Sequence, residues 1–208
     1  MKQYDNEKGI ISLTSWKARI DTVYKTIENL LEICPGFHVC LTLSSDEFPL
    51  KEEELPENLT NLLDRFELIW CDKNYKAFKK IAFALRKYPG IPVVSADDDC
   101  IYTCNYAEEL YQEWLKTQAK VIRYTKTQRF VTQGPCTLYC NIQFPVEELR
   151  ERVINESRDD YWYPQIMKRN KVKMRCLEHG KPPFWFHDDY KPLTMGQRAK
   201  VFYRDCFK

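Results

Sequence analysis

The sequence predicts an α/β protein built on a mixed, mainly parallel sheet flanked by helices. Short apolar runs rich in β-branched residues alternate with segments of helical periodicity. The connections between those runs are long enough for crossover helices. The run Ile91-Pro92-Val93-Val94-Ser95-Ala96 is apolar on both faces, as a central strand must be.

Each element follows from its local pattern. Gly9 to Thr14 reads as a buried strand, and Asp21 as the N-cap of a helix that places Val23, Ile27, Leu30 and Leu31 on one face until Pro35-Gly36 ends it. Phe37 to Leu43 is a second strand, followed by an acidic loop with Glu52, Glu53 and Glu54; Phe66 to Trp70 is a third. Asn74 to Tyr88 is predicted as one helix with the stripe Phe78, Ile81, Ala82 and Leu85, closed by Pro89-Gly90 before the fourth strand. The second half predicts helices at Tyr106–Thr117, Val146–Val153 and about Asp159–Arg169, and strands at Val121–Thr125, Thr137–Asn141 and Lys171–Leu177. The proline- and aromatic-rich tail from Lys181 reads as an ordered loop.

Composition narrows the function. The 208 residues are 44% hydrophobic and 14% aromatic, which excludes intrinsic disorder, and there is neither an internal repeat nor a low-complexity segment. The formal net charge of +2 argues against a dedicated nucleic-acid binder. The charge is uneven, however: Asp72 to Tyr88 carries six basic residues against one acidic, and Lys168 to Lys208 carries 11 against 4. Two such regions suit either an anionic ligand or solvated helical faces. The six glycines include no G-x-G-x-x-G and no P-loop, so a phosphate ligand would need another holder.

The nine cysteines lack any C-x-x-C pair and several stand inside apolar runs, which predicts buried free thiols in a reducing, cytoplasmic setting. The C-x3-C pairs 100/104 and 136/140 are weak zinc signals. The polar N-terminus predicts no signal peptide, and no apolar run reaches the length of a membrane span.

The most informative residues are Asp97-Asp98-Asp99, directly after the apolar run ending at Ala96. In an open α/β sheet the ligand crevice lies outside the carboxyl ends of the strands. Three adjacent carboxylates there raise each other's pKa unless a cation is nearby. Oxygen-only ligands suit Mg²⁺ or Mn²⁺, ions that complete their shells with water and substrate phosphates. The plainer alternative is an acidic turn or a helix N-cap. Lys76, Lys79 and Lys80 lie close together on the predicted basic helix and would supply ammonium groups to a diphosphate. Asp159-Asp160 precedes Tyr161-Trp162-Tyr163, either as a helix-start pair or as a general base beside an aromatic wall. His187 follows Phe184-Trp185-Phe186 and is a structural residue or a metal or phosphate ligand.

The run Ile11-Ser12-Leu13-Thr14-Ser15-Trp16-x-Ala18-Arg19-Ile20, the stretch Phe78-Lys79-Lys80-Ile81-x-x-Ala84-Leu85-x-Lys87-Tyr88-Pro89 and the strand into Asp97-Asp98-Asp99 resemble bacterial GT-A glycosyltransferases of surface-polysaccharide loci, related to the family 2 type. Gly134-Pro135-Cys136-Thr137-Leu138-Tyr139 and Asp159-Asp160-Tyr161-Trp162 follow in the same order; Cys100, Cys104 and Cys140 depart from the pattern. The resemblance implies a single GT-A-like domain with a nucleotide-binding half over 9–104, an acceptor half over 105–180 and a tail over 181–208. It implies a nucleotide-diphosphate sugar donor, a UDP-sugar first, and transfer to a hydroxyl of a glycan or lipid-linked acceptor with inversion. Thr14 and Arg19 would line the nucleotide pocket, Lys80 would contact the donor, and Asp97 and Asp98 would belong to the donor site. Asp99, with Asp97 and His187, would hold Mn²⁺ or Mg²⁺. Asp160, with Asp159 second, would be the catalytic base.

A nucleotidyltransferase on a similar sheet is the competing enzyme class, but such enzymes commonly carry a glycine-rich N-terminal loop that Ser12-Leu13-Thr14-Ser15 lacks. A non-catalytic carbohydrate-binding relative is the third. The basic, aromatic tail either packs its aromatics over the sheet or makes peripheral contact with the anionic inner membrane leaflet.

Overall fold

The computed structural model describes residues 7–124, 135–142, 166–172 and 174–177, together with the backbone of 184–186. Strand β1 spans Gly9–Thr14. Its first residue has to be glycine, because a Cβ there would stand 2.8 Å from the Pro92 carbonyl oxygen, the acceptor of the Ile10 N–H at 2.9 Å. Helix α1 covers Val23–Ile33 and buries Val23, Thr26, Ile27 and Leu30. Its N-cap position is Thr22 and has no side-chain cap, so Asp21 does not take the capping role expected of it. The preceding chain winds in successive turns, Arg19 N–H to Trp16 O and Thr22 N–H to Arg19 O, and leads into the helix without a side-chain acceptor.

Gly36, at φ +84°, makes the left-handed turn into β2, Phe37–Ser44. A 3-10 turn at Lys51–Glu54 and the short α2, Glu57–Thr60, lead to β3, Glu67–Cys71. The basic segment is not one helix. A 3-10 turn over Lys76–Phe78 opens with Lys76 at φ 50°, and α3 proper runs from Lys79 to Lys87. β4 is Val93–Ser95 and β5 Cys100–Tyr102; α4, Tyr106–Thr117, begins at Asn105, whose side chain accepts the Glu108 N–H. β6, β7, β8 and β9 are Val121–Tyr124, Thr137–Tyr139, Met174–Leu177 and Phe184–Phe186. Of the two helices expected, the one at 146–153 lies outside the described residues, as does 159–165 of the second, whose residues 166–169 are helical.

Among the described residues seven strands form one sheet in the order β3-β2-β1-β4-β7-β6-β8. β7 alone runs against its neighbours, pairing antiparallel with both β4 and β6, while the other pairings are parallel. The carboxyl ends of β1, β4 and β6 therefore share one edge. Alternate residues face opposite layers. Ile11, Leu13, Val94, Ile122 and Leu138 pack with Val23, Ile27, Leu30 and Leu110 of α1 and α4. Ile10, Cys40, Val93, Val121 and Tyr139 pack with Ile81, Ala82 and Leu85 of α3. The tail is not simply a loop: β9 pairs antiparallel with β5, Cys100 opposite Phe186 and Tyr102 opposite Phe184. No helix among the described residues is long and apolar enough to cross a membrane.

Candidate functional site

Asp97, Asp98 and Asp99 form the turn that carries the chain off the carboxyl end of β4, and their backbone is held from three sides. Thr26 of α1 donates its hydroxyl to the carbonyls of Asp98 at 3.1 Å and Cys100 at 2.9 Å. Asn29 of α1 pairs with both backbone groups of Tyr102, accepting its N–H at 2.6 Å and donating to its carbonyl at 3.2 Å. The Tyr102 hydroxyl accepts the Asp97 N–H at 2.9 Å, and its ring stacks on Tyr106 at 4.7 Å between centroids. The Tyr106 hydroxyl in turn donates to the Ser95 carbonyl at 3.2 Å. The helix-cap reading of the acidic triplet does not hold, since Asn105 caps α4 and β5 intervenes.

Each carboxylate has a protein partner. Lys80 Nζ stands 2.5 Å from Asp97 Oδ1, with 4% of the lysine side chain exposed against 29% of the aspartate. One nitrogen of Arg19 donates to Asp98 Oδ1 and to Asp99 Oδ2, both at 2.7 Å. Ser15 donates to the other oxygen of Asp98 at 2.7 Å. Burial pushes the Asp98 carboxyl up to about 6, against the pull of Arg19 and Ser15 and with smaller upward contributions from Asp99 and Asp97. Asp98 is thus an enclosed group that orients Arg19 and Ser15, and Asp97 is the most exposed of the three, its side chain 29% exposed against 9% for Asp98 and 12% for Asp99.

The donor set suits a hard divalent cation. Ligand atoms of Asp97, Asp99 and Cys100 all lie within 4.8 Å of one another. Cys100 is fully buried, and burial together with the Asp97 and Asp99 charges raises its thiol pKa far above the ordinary range. Its soft sulfur suits Mg²⁺ or Mn²⁺ poorly, so the two carboxylates are the candidate ligands, a number that these ions combine with water and phosphate oxygens.

Thr14 ends β1 at the same edge and donates its hydroxyl to the Thr42 carbonyl at 2.7 Å. The structure thus brings Thr14, Arg19, Lys80, Asp97, Asp98 and Asp99 together. Lys76 and Lys79 do not join Lys80 in a phosphate clamp. Lys76 belongs to the separate 3-10 turn, and Lys79 is buried against Glu47 Oε2 at 3.1 Å and the Ser15 carbonyl at 3.3 Å. Asp159, Asp160 and His187 lie outside the described residues. Sequence reasoning missed Ser15, Thr26, Asn29 and Tyr102, the residues that hold the acidic turn; Ser15 alone had a signal, its position directly after β1. A separate cavity of about 350 Å³ between α4, β6 and β8 is lined by Glu108, Glu109 and Glu113. Those carboxylates are engaged by Lys8, Tyr124 and Arg175.

A mainly parallel sheet with one reversed strand and an acidic turn leaving its central strand is the arrangement of a GT-A-like fold. Among solved structures the chain is similar to S. aureus TarS 1–349 in complex with UDP, with a TM-score of 0.56 and 10% identity over 86% of this chain and 59% of that one. It is also similar to a TarS 1–349 structure at a TM-score of 0.56 and 13% identity, covering 94% of this chain and 62% of that one. The chain spans about 60% of the length of these structures, and at such identity the likeness is one of fold. No protein-family model matches the sequence, and no curated protein does.

Proposed function

We propose that this protein is a metal-dependent glycosyltransferase that moves a sugar from a nucleotide-diphosphate donor, a UDP-sugar first, to a hydroxyl of a glycan or lipid-linked acceptor. The observation that carries the reading is the pair of carboxylates, Asp97 and Asp99, gathered within 4.8 Å at the carboxyl end of β4 in a GT-A-like fold. The similarity to a UDP-bound structure supports a uridine nucleotide as the first donor to try.

In this reading Asp99 and Asp97 hold Mn²⁺ or Mg²⁺, with His187 as a further ligand one position beyond β9, whose Phe186 pairs with Cys100. The bound cation would neutralise the diphosphate and favour its departure. Arg19 and Lys80 orient the carboxylates and face the donor, and Thr14 lines the pocket beside them. Asp160, or Asp159 in its place, takes the proton of the acceptor hydroxyl as that oxygen bonds to the anomeric carbon. The bond from that carbon to the diphosphate oxygen breaks, the nucleoside diphosphate leaves, and the configuration inverts. The protein acts on the cytoplasmic side, where the basic tail meets the anionic inner leaflet.

The test is donor hydrolysis. Incubation with a panel of nucleotide sugars and Mn²⁺ should release a nucleoside diphosphate from at least one donor. Asp99→Asn should abolish metal-dependent UDP binding, because a charged oxygen ligand is lost. No release from any donor, combined with no metal-dependent thermal shift with UDP or GDP, would overturn the proposal.

A further inference from the structure

Arg19 and Lys80 already have carboxylate partners, but a third cation on the same edge of the sheet has none among the described residues. Arg123 is the third residue of β6 and is 7% exposed. Its Nε is buried without a hydrogen-bond partner, and no ion pair among the described residues includes it. A guanidinium withdrawn from water carries a heavy solvation penalty unless an anion faces it. Packing alone would be served better by an aliphatic side chain of similar volume.

The sheet register shows where this cation stands. Arg123 is opposite Thr137 in the β6–β7 pair. Thr137 lies beside Ser95, whose hydroxyl donates to the Thr137 carbonyl at 3.2 Å and accepts its N–H at 3.1 Å. Ser95 is opposite Ser12 of β1, and the Ser12 hydroxyl donates to the backbone carbonyl of Lys80. Directly paired residues share a face of a sheet. Ser12, Ser95, Thr137 and Arg123 therefore form one row on the face covered by α3, the face on which Asp97 meets Lys80. Two strand spacings separate Arg123 from Ser95, about 10 Å. Arg123 thus stands on the β6 side of the strand whose end carries the acidic turn.

We propose that Arg123 is a binding residue for an anionic group, a carboxylate or a phosphate, that a substrate carries to the β6 side of this site. Only the identity of the carrier rests on the transferase reading; the anion site rests on Arg123 itself. The carrier is either the transferred sugar or the acceptor, and both would meet Arg123 through the same charge-assisted hydrogen bonds.

Titration calorimetry separates the two. In the donor arm, UDP-glucuronate is compared with UDP-glucose in the presence of Mn²⁺. In the acceptor arm, sn-glycerol 3-phosphate is compared with glycerol in the presence of UDP and Mn²⁺. The wild-type protein should bind the charged member about 10- to 100-fold more tightly in one of the arms. Arg123→Gln should lose that preference, and Arg123→Lys should keep part of it. Without ligand, Arg123→Gln should melt no lower than the wild type, because a buried charge with no partner among the described residues is removed. The proposal is overturned if the wild type shows no preference for charge in either arm, if Arg123→Gln retains the preference, or if the unliganded variant melts markedly lower. Failure to bind UDP would instead count against the transferase reading. The glycerol 3-phosphate arm, repeated without nucleotide, would still decide the anion site.

Discussion

Lys79 and Lys80 are neighbours in sequence with different work to do. Lys80 holds Asp97 at the crevice, whereas the Lys79 side chain, 1% exposed, lies between Glu47 and the carbonyl of Ser15. Because Ser15 and Arg19 both bind Asp98, Lys79 braces the loop that supports the acidic turn. Removing one partner of a buried pair leaves an uncompensated charge. With 17% of the Glu47 side chain exposed, Lys79→Met should cost about 2–3 kcal/mol, somewhat less than breaking a fully buried pair. Urea denaturation measures it, and Lys79→Met/Glu47→Gln should recover part of the loss. An unchanged urea midpoint for the single variant would show that the pair does not brace the loop. The carboxylates were legible in the sequence, since charges directly beside a strand end are conspicuous, whereas Arg19 came only with the resemblance to GT-A enzymes. The burial of Lys79 was not, because lysine is ordinarily a surface residue. Nor were Thr26 and Asn29, which look like any other polar helix residues until the fold brings them under Asp98 and Tyr102.

The elements divide along similar lines. β1 at Gly9–Thr14 and α4 at Tyr106–Thr117 coincide with their sequence patterns, because each is specified by residues within one short window. β5 is invisible in that window. Its three residues become a strand only by pairing with Phe184–Phe186, more than 80 positions away. The division after Phe78 was equally hidden, since the apolar stripe runs across it; just upstream the Asn74 side chain accepts the Lys76 N–H at 2.8 Å and favours a turn before the helix. At the start of α4, Asn105 provides a local test. Its side-chain oxygen accepts the Glu108 N–H at 3.0 Å, so Asn105→Ala should cost about 1 kcal/mol, seen as a lower thermal midpoint. Asn105→Asp, which keeps the acceptor, should stay close to the wild type. Equal loss in both variants would place the role of Asn105 elsewhere than in the cap.

At the scale of the molecule, the sheet separates two apolar layers, and the cysteines report on both. Cys34 lies in the layer beneath α1 and α4, whereas Cys40 and Cys71 lie in the layer beneath α3. Burial is the leading cause that pushes each of these thiols up to about 12. At pH 8 a group of that pKa is thiolate in only about 1 part in 10⁴, and its sulfur is shielded by packing as well. Cys176, by contrast, is exposed on β8 at the end of the sheet. Alkylation with iodoacetamide at pH 8, mapped by mass spectrometry over time, should modify Cys176 first among these four. Cys34, Cys40 and Cys71 should follow only as fast as the molecule opens, and at matching rates if the two layers unfold together. Faster labelling of Cys40 and Cys71 than of Cys34 would mean that the α3 layer opens on its own. It would carry Lys80 away from Asp97, so addition of UDP and Mn²⁺ should then slow the labelling of Cys40 and Cys71 selectively. Labelling of Cys40 as fast as that of Cys176 would contradict the enclosed core altogether.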